Sequence, residues 1–517
     1  MMRTNDDALR AKHAQAGMAM ALAMFTMAAA SATQAALYLH SFGINGRTDG
    51  FFVAFALYTV FGVFSQSIRV TSAPLLVGDD RSLSVREFAA TLVVLAVPVA
   101  IATIPLAHQL ALLLAPGLSE SDRSVTENAL PILGCTMVLQ LWAAGAATVL
   151  AVRDRFKSVA IAYMAGALAG LGAYLAVVGA ADELAMAWSM LAMMTVTCVF
   201  MFAGLRHGGQ EQAVANRPLH PARLLGNAAS ILGRTSVYLV FNALYLVTLA
   251  FTSSFEPGDA TVLSYAYVFS SYLVAGTAFA LGMSRIADMR RGTLAEWRTV
   301  VGDTVPHGFR YSMLLAAPAM AALVAAGASI MGDLFSASLT QHDVRTLRVF
   351  AALLAAWTVA ALLVNLLLPA MFALGREWLV NVLSIPLLIL HVAATAAGGA
   401  IAGAPGVVGA AFVAPLCFAG VLLFVGAGDI RGHLARELTR DGLRFAVTAV
   451  GAYAIGVAVG ATLASGMLEA LIAGAVGTIL YGVFAVSMAA PQQVRRVFRF
   501  LRPDSRVAAA NPGRAAS

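Results

Sequence analysis

Gly46-Arg47-Thr48-Asp49-Gly50-Phe51-Phe52-Val53-Ala54-Phe55-Ala56-Leu57-Tyr58-Thr59-Val60-Phe61-Gly62-Val63-Phe64-Ser65-Gln66-Ser67-Ile68-Arg69 is the stretch that decides the fold. Residues 50–68 carry no Asp, Glu, Lys or Arg. A helix rises about 1.5 Å per residue, so roughly 20 apolar residues cross the hydrocarbon of a bilayer. The polar Arg47-Thr48-Asp49 marks one membrane surface, and Arg69 lies on the approach to the other.

The same pattern recurs along the chain. Uncharged stretches cover 13–46, 50–68, 88–119, 128–152, 158–181, 184–205, 235–255, 260–284, 311–332, 349–375, 378–428, 445–468 and 470–494. The 378–428 stretch is too long for one crossing, and Gly403-Ala404-Pro405-Gly406 punctuates it, so it reads as two. The expectation is an all-α membrane protein of about fourteen transmembrane helices. Composition agrees: of 517 residues, 60% are hydrophobic and 11% charged, against roughly 25% charged in a soluble domain. The net charge of +7 does not suggest nucleic-acid binding, because no basic residues cluster on a segment large enough to form a soluble domain. Cys135, Cys198 and Cys417 are far apart in apolar stretches and read as buried free thiols.

Arginine placement sets the orientation. With the N-terminus inside, 27 of the 33 Lys+Arg fall in cytoplasmic segments; Arg47, Arg123, Arg345 and Arg348 lie outside, and Arg69 and Arg234 within spans. Both termini are then cytoplasmic. An alternative treats 17–32 as a cleaved signal ending at Ala30-Ser31-Ala32, which leaves thirteen spans; Asp6 and Asp7 weaken its positive flank.

The polar segment 206–225, with Gly208-Gly209 and two prolines, divides the chain after the sixth span. The expected organisation is an N-terminal six-helix bundle with its linker over 1–215 and a second over 216–430. Two additional spans over 431–490 and a basic cytosolic tail over 491–517 complete it. Six spans per half makes the two bundles parallel repeats. Weak echoes support a duplication: Ala36-Leu37-Tyr38-Leu39 recurs as Ala243-Leu244-Tyr245-Leu246, and Val53-Ala54-Phe55 as Tyr265-Ala266-Tyr267.

Enzymatic readings find no support. The two lysines, Lys12 and Lys157, do not follow glycine, so no Walker loop is present. No two histidines stand four apart as a zinc helix requires. No nucleotide, metal or other cofactor is expected. A duplicated multispan chain without catalytic apparatus reads as a transporter or flippase.

A charge inside a span is costly and marks a functional candidate. Arg69 and Arg234 qualify, at similar depth in the cytoplasmic half, and Arg285 lies near the inner end of the eighth span. Together they would form a cationic pocket suited to a phosphorylated lipid head group; the bland alternative is snorkelling to the inner head groups. Gln34, Asn242, Gln140 and Asn365 are uncharged polar groups in spans, read as interhelical hydrogen-bonders or substrate contacts. Tyr38, Tyr245, Tyr265 and Tyr267 read as interfacial belt residues, and Thr48-Asp49 as a helix N-cap. In the tail, Val494, Val497, Phe498 and Leu501 alternate with Arg495, Arg496, Arg499 and Arg502, an amphipathic pattern suited to anionic lipid or to an ordinary positive-inside flank.

The segment Gly46-Arg47-Thr48-Asp49-Gly50-Phe51-Phe52-Val53-Ala54-Phe55 resembles the start of the second helix in the MviN/MurJ family of bacterial lipid II flippases, with Thr48, Asp49, Phe51, Phe52 and Phe55 carrying the motif. That family belongs to the multidrug/oligosaccharidyl-lipid/polysaccharide exporter superfamily. The resemblance implies two helical bundles around a central cavity, alternating access, and a polyprenyl-pyrophosphate sugar flipped across the bacterial plasma membrane. It also implies contact with cell-wall or polysaccharide synthesis enzymes. The family lines its cavity with arginines on the first, second and eighth helices. Counted back from Thr48-Asp49, the first-helix positions fall here on Ala28 and Gln34, and the second-helix position near Gly62. The charged cluster of the eighth helix becomes Tyr267-Val268-Phe269-Ser270-Ser271. The leading expectation is a lipid-linked saccharide flippase. The alternatives are a cation-coupled drug exporter of the same superfamily and a degenerate, non-transporting lipid-binding scaffold.

Overall fold

A computed structural model describes residues 22–23, 25–27, 29–76, 83–153, 155–206, 219–279, 294–334, 338–373, 376–426 and 431–488. Arg285, the linker residues 207–218 and the tail 491–517 lie outside these, as does Ala28. Arg69 lies in a described helix, but its side chain is outside the description.

The described residues form helices and connecting turns, with no strand among them. The first helix, α1, covers 29–42. It is followed by α2 (Gly46–Leu76), α3 (Val85–Thr103), α4 (Ala107–Leu114), α5 (Glu120–Val152), α6 (Phe156–Val177) and α7 (Ala185–Arg206). After the linker come α8 (Pro221–Thr252) and α9 (Asp259–Val274), then α10 (Leu294–Ala322), which runs through a π turn into α11 (Ala328–Leu334). The chain continues as α12 (Gln341–Ala373), α13 (Glu377–Ala410), α14 (Val413–Gly426), α15 (Arg431–Leu463) and α16 (Met467–Met488). Eleven of the described helices are long and apolar enough to cross a membrane, and the chain is a multi-pass membrane protein. Large apolar side chains such as Ile385, Ile389, Val450 and Ile479 stand exposed on helix surfaces, the inverse of a soluble protein and the natural state of a lipid-facing wall.

Local chemistry sets the helix ends. Ser84 and Glu87 form a reciprocal capping box at the start of α3. Ser119 caps α5 through the Asp122 amide, and Pro221 opens α8 where its missing N–H costs nothing. Inside α13, Ala402 and Gly403 leave helical geometry, Gly403 with φ of +63°. The uncharged stretch therefore breaks into a hairpin where the glycine-proline signal placed it. Gly398 and Gly406 face each other across that hairpin so closely that a side chain on either would strike the other's backbone.

Two sets of helices pack mainly within themselves. In one, α2 lies against α5, α3 against α5, and α7 against α5 and α6. In the other, α8 lies along α13, and α12 along α9, α10 and α14. The last pair, α15 and α16, joins the second set chiefly through α10. Its own close approach depends on Gly456 and Gly460, which leave no room between α15 and the α16 backbone. The sets meet where α2 and α3 touch α8, and where α2 touches α9.

The cysteine expectation is corrected in part. All three are free, but only Cys198 is buried; Cys135 and Cys417 are exposed on the helix surface. An apolar stretch in a membrane protein has lipid on one side, so apolar surroundings in sequence do not imply burial in protein.

Candidate functional site

The helix sets are held to each other by polar contacts at opposite ends of α2 and α8. At one end, Asn45 begins α2: its Oδ1 accepts from the amides of Arg47 and Thr48 at 2.9 and 3.1 Å. Asp49, one turn in, is thus free to reach another helix. Its Oδ2 accepts from the Gly258 amide at 2.6 Å. Its Oδ1 accepts from the Thr261 amide at 2.7 Å and the Thr261 hydroxyl at 2.6 Å. Gly258 is the residue that caps α9; its φ of +101° suits glycine, which has no side chain to satisfy the helix's first amides. Asp49 supplies that cap from the other helix set, and it is fully buried. The expected N-cap role of Thr48-Asp49 is therefore corrected: Asn45 caps α2, and Asp49 caps α9.

The aromatic motif residues build the wall behind this contact. Phe51, Phe52 and Phe55 form a buried cluster with Tyr38. Phe52 lies edge-on to Tyr265, ring centroids 5.2 Å apart, and the Tyr265 hydroxyl donates to the Ala35 carbonyl of α1 at 2.9 Å. Tyr38 donates to the Glu183 carbonyl, and Tyr245 to Ser264 Oγ. Tyr245 and Tyr267 stack with centroids 3.7 Å apart. These tyrosines do not form a lipid-facing belt. Tyr38, Tyr245 and Tyr267 are buried, and Tyr265 is half-buried within the same interior. A hydroxyl near a span end has an interior option when another helix offers an acceptor, and sequence spacing does not reveal that neighbour. Beyond the span, burial raises the Asp259 carboxyl to about 6, opposed by the Glu256 amide that donates to it.

At the opposite end, Glu87 Oε1 lies 3.2 Å from Arg223 Nη1, joining α3 to α8. The other carboxylate oxygen accepts from the Ser84 amide at 3.1 Å as part of the capping box. The Glu87 side chain is 3% exposed and that of Arg223 48%. An apolar seam accompanies the pair: Phe64, Ile68 and Leu76 of α2 and Phe88 and Leu92 of α3 share a cluster with Ala228 and Ile231 of α8. Sequence reasoning did not single out Glu87 or Arg223. A Ser84-x-x-Glu87 pattern suits a helix start, but nothing in it announces a partner more than a hundred residues away.

The described binding candidates, Arg234, Gln34, Gln140, Asn242 and Asn365, do not converge on one point. Arg234 lies on α8, one turn beyond Ile231, and Ile231 shares the seam with Ile68, the neighbour of Arg69. The helix segments bearing these two arginines are thus brought together. Arg234 is half-buried and has no hydrogen-bond or ion-pair partner among the described residues. Asn242 and Asn365 donate to carbonyls one turn back in their own helices, Tyr238 and Ala361. Gln34 is buried beside Gly170 of α6, away from α8. Gln140 faces Gly62 across α2 and α5, with its Oε1 buried and unpartnered among the described residues. Elsewhere, Arg310 of α10 pairs with Asp441 and, at 3.6 Å, with Glu437, fastening α15 to the second set.

No protein-family model and no curated protein sequence matches this chain. Solved structures do. Lipid II flippase MurJ in its inward closed conformation superposes with a TM-score of 0.66 at 14% identity, over 90% of this chain and 98% of that one. An inward-facing multidrug resistance MATE family transporter of the MOP superfamily gives 0.59 at 14% identity, over 78% and 94%. A Vibrio cholerae MATE transporter gives 0.50 at 14% identity, over 83% and 98%. The chain has the fold of these transporters, and the resemblance of its second helix to the MviN/MurJ pattern is matched by the architecture.

Proposed function

We propose that this protein is a flippase of the MviN/MurJ type that moves a lipid-linked saccharide, a polyprenyl-pyrophosphate precursor, across the bacterial plasma membrane by alternating access. Its working unit is fourteen spans: two parallel six-helix bundles, 1–215 and 216–430, and a further pair over 431–490. Both termini face the cytosol in this reading. The Asp49 end is then external, and the Glu87 end internal.

The observation that carries the proposal is the pair of contacts between the helix sets at opposite ends of α2 and α8. Each has a polar link with apolar packing beside it: Asp49 on the α9 start at one end, next to Phe52 and Tyr265, and Glu87 with Arg223 at the other, next to the α2–α3–α8 seam. Alternating access needs two such contacts, one to release while the other holds. With both formed, the described conformation joins the helix sets at each end. Arg234 supplies a cation that has no partner among the described residues beside the seam, and guanidinium is suited to phosphate oxygens. The tail 491–517 would rest on anionic lipids, and cell-wall or polysaccharide synthesis enzymes would supply the substrate.

The test is reconstitution into proteoliposomes with a fluorescent polyprenyl-pyrophosphate lipid. The variant Arg69→Ala/Arg234→Ala is expected to slow flipping at least tenfold. An unchanged rate in well-folded protein rejects the cationic pocket. The MATE likeness keeps drug export as the second reading, favoured if drug efflux persists under a sodium or proton gradient while lipid flipping is absent.

A further inference from the structure

His391 sits in the middle of α13, fourteen residues after Glu377 and eleven before the break at Ala402. It is 1% exposed. An ionisable residue at that depth is rare and marks a functional position. Its Nε2 lies 2.8 Å from the Leu244 carbonyl and 2.9 Å from Thr248 Oγ1, both on α8. The Thr248 hydroxyl donates to the same carbonyl at 2.9 Å. A carbonyl only accepts, so Nε2 carries the hydrogen, and the lone pair of the neutral ring is left on Nδ1. That atom is buried and has no hydrogen-bond partner among the described residues.

Among the described residues the surroundings hold no compensating charge. The helices packed against α13 are α8, α12 and α14. Residues 235–255, 349–375 and 378–428 contain no Asp, Glu, Lys or Arg. The titratable groups on the facing part of α8 are Tyr238, whose ring lies edge-on to Phe372, and Tyr245, which bonds Ser264. On α12 there is none between 349 and 375, and α14 brings only the exposed Cys417. The helix that His391 grips carries Arg223 of one contact between the sets and leads through a short turn to the α9 start, which makes the other.

We propose that Nδ1 of His391 is a proton acceptor whose protonation opposes closure, so that pH biases the change of access. The proposal rests on the transporter reading above and adds a pH-dependent control to it. While the seam between α8 and α13 is dry, an imidazolium there would carry an unpaired N–H and an unshared charge, so the closed state excludes the proton. When α8 moves and water reaches the ring, Nδ1 takes a proton from that water. It returns the proton to the same water before the seam closes, and no other bond changes. Because closure and protonation exclude each other, each biases the other by the same factor.

The experiment uses the full chain with spin labels at Glu120 and Glu256, on either side of the Asp49 contact. Distances are read at about pH 5 and about pH 8, which bracket the ordinary histidine range. The closed population is expected to fall at least tenfold at the lower pH, and His391→Gln, which keeps a donor for Leu244, is expected to abolish that response. An unaltered distance distribution in the parent protein, or an equal response in the variant, overturns the proposal. Nitrogen NMR of histidine-labelled parent protein gives an answer even where the variant does not fold. Here His391, a neutral ring protonated on Nε2 at the higher pH, is expected to become imidazolium at the lower, and a ring that stays neutral at both overturns the proposal. If the pH response holds but lipid flipping is absent in proteoliposomes, the coupling stands and the flippase reading fails.

Discussion

Replacing Asp49 with alanine removes three hydrogen bonds that cross between the helix sets: two from backbone amides and one from the Thr261 hydroxyl. A net protein hydrogen bond contributes about 1 kcal/mol, so their joint loss weakens closure at this end by about 3 kcal/mol. The amides of Gly258 and Thr261 also lose their acceptor, and they regain one from water only when the contact opens. A shift of 1.4 kcal/mol is about tenfold in an equilibrium constant, so the open population should rise roughly a hundredfold. Asp49→Asn keeps one acceptor oxygen and should fall between. The assay is the distance distribution between labels at Glu120 and Glu256, measured with the parent's native cysteines replaced. Neither labelled residue takes part in the contact, so the labels leave it intact. A distribution identical to the parent's, in folded Asp49→Ala protein, would show that Asp49 does not hold the sets together.

At the other end, a double-mutant cycle over Glu87→Gln and Arg223→Gln should give a coupling of about 1 kcal/mol in thermal unfolding or label distance, modest because Arg223 is half exposed; a coupling near zero refutes the ion-pair contribution. Gly403→Ala should destabilise by about 1–3 kcal/mol through backbone strain alone, since its φ of +63° with ψ of −148° is a conformation that essentially only glycine adopts and the nearest side-chain atoms, on Phe255, leave 3.8 Å; an unchanged denaturation midpoint would contradict the glycine break. Burial raises Asp259 to about 6 in the folded chain against an ordinary value of 3.8. The folded state therefore holds this proton longer than the unfolded chain, and its stability contribution is full below pH 3.8, lost as pH rises toward 6, and flat above. Melting temperatures across that window should fall in the parent and less steeply in Asp259→Asn, and equal slopes would remove the residue from the account.

Crossing segments were legible in the sequence because the bilayer imposes a one-dimensional rule: a segment must stay uncharged for the thickness of the hydrocarbon. That rule found the 50–68 span and the break near Gly403, where φ of +63° now shows why glycine stands there. It also isolated Arg234 as a cation within a span. What it could not find were partners. Asp49 looked like the cap of its own helix, and only packing revealed that Asn45 fills that place while Asp49 caps a helix more than two hundred residues on. Tyr38 and Tyr245 looked like belt residues until their hydroxyls met Glu183 and Ser264. Glu87 and His391 were single letters in apolar or boundary text, and each acquired its role from a residue on α8. Hydrophobic thickness acts on each segment separately and is written along the chain. Hydrogen-bond complementarity acts between segments, depends on distances of a few ångströms, and exists only once the helices have packed.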